Sequence, residues 1–193
     1  MSESRRLNGL RALRSFGLPT PNWEEVRNHG EIAKLCLSER PFGWTIRTCR
    51  TDGQRETGGF FANNLPVEEI LRVLNERSNM FGKGEFYIVY PSWKFIMSFN
   101  VVFDADAFTV EGKHGSQKGI SDGTEMPEVS LRVSGNRRCD AVVYIGDYAP
   151  STERLVRRVL SYLRRVPLPR FYSEVAITTD QQIFFYELFP VGG

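Results

Sequence analysis

Leu7, Leu10, Leu13 and Phe16 recur at helical spacing, and Gly17 ends the helix they predict. GLPTPNW then reads as an extended connector, because each proline disfavours helix in the residue before it. Glu31 to Leu37 reads as a short helix, and FGWTIRTCR as a strand rich in β-formers. DGQRETGGFF follows as a glycine-containing loop or hairpin. Asn64 with Pro66 opens a helix whose apolar face carries Val67, Ile70, Leu71 and Leu74.

The second half of the chain is dominated by expected strands. EFYIVYP, FIMSFNVVFD and AFTVEG are expected strands, KHGSQKGISDG a polar loop, and VSLRV and AVVYIGDY further strands. Ser151 caps a helix with Leu155, Val156, Val159, Leu160 and Leu163 inward. Arg157, Arg158, Arg164 and Arg165 lie on its other face, which reads as a solvated face ahead of a phosphate-binding patch. PLPR breaks the helix, and a hairpin, SEVAITT-DQ-QIFFYELF, follows. The pattern predicts an α+β fold. It shows no internal repeat.

One residue breaks the pattern. Glu187 stands inside the run FFYELF, where a buried carboxylate must be solvated, protonated or neutralised by a partner. If Asp180 and Gln181 form the turn, or the centre of a four-residue loop, Thr179 pairs with Gln182, Ile177 with Phe184 and Val175 with Tyr186. Glu174 then falls opposite Glu187, with Cβ atoms about 4.5–5.5 Å apart. A three-residue loop would break that register. Facing like charges repel, and a divalent cation such as Mg²⁺, which takes carboxylate oxygens together with nucleotide phosphates, would relieve the repulsion. The competing reading leaves Glu187 at a sheet edge in water.

Composition narrows the classes. With 193 residues, 41% hydrophobic and 25% charged, the chain can bury a sizeable core as one domain or two small lobes. A net charge of +2 is too small to imply nucleic acid. No apolar run approaches the roughly 20 residues of a membrane span, the N-terminus lacks an apolar signal core, and the cytoplasm is the default location. Cys36, Cys49 and Cys139 are too widely spaced to suggest a zinc site or a disulfide framework. No Ser-His-Asp, Cys-His or Walker pattern is present, which argues against hydrolase and P-loop classes.

The terminal strand–turn–strand, with its acidic–apolar–apolar start and Glu187 near its end, resembles the metal-binding hairpin of the ATP-grasp superfamily. Upstream parts agree in order. RALRSFGLPTPNWEEV resembles the segment leading into that family's N-terminal lobe, and GWTIRTCR the strand carrying a cationic phosphate-binding residue. EFYIVYP resembles the strand entering the interlobe hinge, and AFTVEGKHGSQKGISDG the strand and loop after it. The resemblance runs from about Leu10 to the end. It implies two α+β lobes with mainly antiparallel sheets clasping a nucleotide, residues 1–85 forming the first and 86–193 the second.

Under the resemblance, Glu174 and Glu187 would hold Mg²⁺ bridging the phosphates of ATP, and Arg47 would grip those phosphates where the family more often has lysine. Ile88, Val89 and Tyr90 would offer main-chain groups and an apolar wall to adenine. Lys113 and Lys118 would close over phosphates from a glycine-bearing loop, which also holds His114, and Gly58 and Gly59 would let backbone approach the triphosphate. The implied reaction is ATP-dependent activation of a carboxylate through an acylphosphate. Two positions depart from the family. Phe189 replaces an asparagine two residues after the metal-binding glutamate, and Tyr90 stands near a hinge position that is often acidic or amide. The family's preceding α/β domain has no counterpart, which implies a partner subunit or a noncatalytic nucleotide-binding or protein-interaction module. RNA binding by the arginine helix with Trp23, Trp44 and Trp93 ranks last.

Overall fold

A computed structural model describes residues 4–52, 59–104, 106–116, 119–121, 123–134, 143–145 and 150–191. The chain divides into two compact units, Met1–Asn8 with Pro21–Lys94 and Gly9–Thr20 with Phe95–Gly193. Helix α1 (Arg5–Ser15) runs from the first into the second.

In the first unit, β1 (Glu24–Val26), α2 (His29–Ile32), β2 (Trp44–Arg50), β3 (Phe61–Leu65), α3 (Val67–Glu76), a 3-10 helix (Ser78–Lys83) and β4 (Glu85–Pro91) follow in order. The antiparallel sheet runs β1-β4-β2-β3. Ile70, Val73 and Leu74 of α3 pack with Val26, Ile32, Trp44, Ile46, Tyr87 and Val89 into one buried cluster. Alternation therefore turns Thr45, Arg47 and Ile88 to the sheet's other face. Ser92, just after β4, ties β2 to β3, its Oγ sharing a hydrogen bond with Thr45 Oγ1 at 2.7 Å and accepting one from Asn64 N–H at 3.0 Å.

Three local expectations shift here. The helix expected over Glu31–Leu37 is α2, which starts earlier because Asn28 Oδ1 caps it by accepting from Glu31 N–H at 3.2 Å. Asn64 belongs to β3, at φ 58, and the following helix begins only after Pro66. The extended connector over 17–23 stands, and the short strand β1 follows it, paired with β4. A division at 85/86 meets one at Lys94/Phe95, because β4 is hydrogen-bonded between β1 and β2 and cannot leave that sheet.

In the second unit, β5 (Phe95–Asp104), β6 (Ala107–His114), β7 (Val129–Ser134), β8 (Val143–Ile145), β9 (Arg170–Thr178) and β10 (Ile183–Pro190) form an antiparallel sheet, β10-β9-β5-β6-β7-β8, and helix α4 (Pro150–Leu163) lies between β8 and β9 in the chain. One face is a buried aromatic and aliphatic layer in which Phe103 lies 4.6 Å from Phe108 and 5.5 Å from Phe171 between ring centroids. On α4, Val156, Val159, Leu160 and Leu163 are buried as the periodicity predicts, and Tyr162 meets Phe185 edge-on. Of the four arginines, α4 carries two: Arg157 pairs with Glu153 at 2.6 Å and Arg158 donates to the Gln181 carbonyl at 2.8 Å, while Arg164 and Arg165 follow the helix and Arg165 lies over Tyr162. Among the described residues no helix is long and apolar enough to cross a membrane.

Candidate functional site

The β9–β10 hairpin holds the Glu174–Glu187 pair, by a route that the sequence pattern did not reveal. Its loop is Thr179–Asp180–Gln181, closed by Gln181 N–H to Thr178 C=O and Thr178 N–H to Gln182 C=O, both at 2.9 Å, with Gln181 at φ 66. This is the three-residue loop in which a type I turn is followed by a left-handed residue. It moves the register by one near the turn: Ile177 faces Ile183, Ala176 faces Phe184 and Val175 faces Phe185. A β-bulge between Phe185 and Glu187 then takes up the extra residue, Tyr186, and restores the offset. Beyond it Glu174 faces Glu187, Ser173 faces Leu188 and Tyr172 faces Phe189. The expected partners of Ile177 and Val175 are corrected; the facing glutamates stand.

The pair belongs to a polar row across the sheet. Glu187 faces Glu174, Glu174 faces Asn100, Asn100 faces Glu111 and Glu111 faces Ser130. Directly opposed residues share a face, so these side chains project away from the aromatic layer. Glu174 is only 8% exposed. Its Oε1 accepts a hydrogen bond from the Tyr172 hydroxyl at 2.9 Å. The Tyr172 ring stacks on Phe189 at 4.7 Å and 23°. Burial first, and then the Glu174 charge, push the Tyr172 phenol well above its ordinary range, so it remains a proton donor. Glu187 is anchored through its main chain, whose carbonyl accepts from Ser173 Oγ at 2.9 Å.

The other expected residues fall in two places. Lys113 lies on the same polar face of β6, opposite Ser98, and its ammonium pairs with Glu125. Beside it His114 pairs with Glu128, and that hydrogen bond holds the Glu128 carboxyl below its ordinary range. Lys118 and Gly58 lie outside the described residues. In the first unit, Arg47 faces Ile88 on one side and Phe61 on the other. Its guanidinium stands 5.2 Å from the centre of the Phe61 ring, and that ring is 51% exposed. Val89 is turned into the core cluster. Ile88 and Val89 have strand partners on both sides, so their main-chain groups serve the ladder and the adenine-edge role expected of them loses its donors and acceptors. Tyr90 pairs with Thr45 of β2.

Sequence reasoning passed over Tyr172, Asn100 and Glu111. Asn100 carried the signal that marked Glu187, a polar residue within an apolar strand. Tyr172 stands two residues from Glu174, so strand alternation alone puts both on one face.

No protein-family model matches the chain, and no curated protein matches it in sequence. Solved structures match it along its length. The ADP complex of PurK, an N5-carboxyaminoimidazole ribonucleotide synthetase, aligns at 13% identity over 100% of this chain and 46% of its own, with TM-score 0.62. The macrocyclase MdnC from Microcystis aeruginosa, bound with precursor peptide MdnA, aligns at 16% identity over 97% and 53%, with TM-score 0.55. D-alanine-D-alanine ligase from Helicobacter pylori aligns at 10% identity over 100% and 52%, with TM-score 0.53. The chain thus spans about half the length of the structures it matches. Two antiparallel sheets with their helices, in this order and over this length, give the chain the fold of the ATP-grasp enzymes.

Proposed function

We propose that this chain binds a purine nucleotide with Mg²⁺ and serves the ATP-dependent activation of a carboxylate. The observation that carries the reading is the facing pair Glu174–Glu187 on the polar side of the second sheet. Two opposed carboxylates, one of them nearly buried, suit a hard cation that completes its shell with phosphate oxygens and water. Among the described residues no group of three or more His, Cys, Asp or Glu side chains is placed to hold a metal by itself. The cation would therefore arrive with the nucleotide.

In this reading a substrate carboxylate oxygen bonds to the γ-phosphorus of ATP while the bond from that phosphorus to the bridging oxygen breaks. ADP leaves with the electron pair, and an acylphosphate results; an amine or other nucleophile then attacks the acyl carbon and expels phosphate. Mg²⁺, when bound, supplies charge neutralisation on the phosphates. Glu174 and Glu187 hold and orient that charge. Arg47 grips phosphate oxygens bidentately, and Lys113 exchanges Glu125 for phosphate, with Lys118 assisting. Ile88 and Tyr90 line the adenine ring. A partner subunit would supply the acceptor side of the reaction.

One observation favours a second reading, a noncatalytic nucleotide-binding or protein-interaction module that keeps the fold. Phe189, where the resemblance expects asparagine, is stacked on Tyr172 and brings no ligand atom to the pair. Thermal melting with millimolar ATP or ADP, with and without Mg²⁺, tests nucleotide binding itself. A ligand that binds only the folded state raises the melting temperature by mass action, so both nucleotides should raise it, and more so with Mg²⁺. Absence of any shift with every purine nucleotide would remove the proposal.

A further inference from the structure

The aromatic pair beside the two glutamates has a geometry of its own. Tyr172 and Phe189 are cross-strand partners one step along the hairpin from Glu174 and Glu187, on the same face of the sheet. Their rings lie nearly parallel, at 23° and 4.7 Å, and the Tyr172 hydroxyl reaches Glu174 Oε1 at 2.9 Å. Left to itself, a pair of facing carboxylates would rotate apart, since like charges on directly opposed residues repel. A hydrogen bond to an ionised oxygen opposes that rotation, and it is among the stronger kinds because the acceptor is charged. Stacking on Phe189 restrains the Tyr172 ring in this position. The aromatic residue that brings no ligand atom thereby acquires a role.

We infer that Tyr172, clamped by Phe189, is a positioning residue that keeps Glu174 oriented toward Glu187, ready for a divalent cation carried by nucleotide phosphates. The inference rests on the proposed nucleotide site and adds to it the groups that preset one of its carboxylates. Tyr172 touches neither the cation nor the phosphates in this scheme; it acts through Glu174.

The test is calorimetric titration of ADP into wild type, Tyr172→Phe, Phe189→Leu and Phe189→Tyr, each with Mg²⁺ and with EDTA. The quantity read is the ratio of the two affinities. A structural defect lowers both affinities and leaves the ratio alone, whereas a positioning defect lowers the ratio. Tyr172→Phe should reduce the ratio about tenfold, the scale of a hydrogen bond to a charged group, with ADP affinity in EDTA unchanged. Phe189→Leu, which keeps the apolar bulk but not the stack, should reduce it less, and Phe189→Tyr should preserve it. A wild-type ratio retained in Tyr172→Phe overturns the inference, as does an equal loss of affinity in both conditions. Should Tyr172→Phe not fold, the inference stands or falls on whether Phe189→Leu lowers the ratio and Phe189→Tyr retains it. A wild-type ratio of one removes the proposed metal-nucleotide site itself, and this inference with it.

Discussion

The guanidinium of Arg47 lies over the half-exposed Phe61 ring, on the sheet face opposite the buried cluster. Arg47→Ala is expected to weaken triphosphate binding by about 1.5–3 kcal/mol, the range for hydrogen bonds to charged groups, and adenosine binding far less. Competition titrations with ATP and adenosine separate the two. Equal weakening would assign Arg47 to the sheet and not to the ligand. At this scale the sequence was informative wherever a residue contradicted its surroundings. Glu187 did so, and so did Asn100. Tyr172 did not, because an aromatic residue is at home in a strand, and its hydroxyl acquires meaning only when β9 and β10 are paired.

The elements were largely legible where apolar runs or helical periodicity were strong, as in β2, β4, β5, β9 and the helices α1, α3 and α4. Short or polar edge segments were not. Strand β3 reads FANNL, and asparagine is depleted in strands, so only its pairing with β2 makes it one. The hairpin is the instructive case. Its three-residue loop requires Gln181 in the left-handed region, a cost that no local pattern announces, and its bulge compensates the loop one residue at a time. A closer approach occurs where α1 meets the edge of the same hairpin. A Cβ added at Gly9 would come within 2.5 Å of the Leu188 carbonyl oxygen, a main-chain atom that cannot swing away. Gly9→Ala should therefore destabilise the protein by about 1–3 kcal/mol, the cost of overpacking. Helix propensity alone argues for a gain of roughly 1 kcal/mol from the same change, so the sign of the shift in a denaturant melt decides which effect governs.

For the molecule as a whole, composition excluded classes but left function open, and the order of the elements carried the fold. Seen whole, the first unit presents Arg47 and Ile88 on the sheet face opposite α3, while the second presents its row of Glu187, Glu174, Asn100 and Glu111 on the face opposite the aromatic layer. The central claim is that the facing glutamates exist to hold a cation with a nucleotide. Calorimetric titration of Mg·ATP into wild type and Glu187→Gln, beside a melting curve of each without ligand, addresses it most directly. The account predicts a loss of Mg²⁺-dependent affinity of about tenfold or more in the variant, with the ligand-free melting temperature unchanged or raised, because one of two repelling charges is gone. Undiminished Mg·ATP affinity in Glu187→Gln would contradict it and leave Glu187 a glutamate at a sheet edge in water.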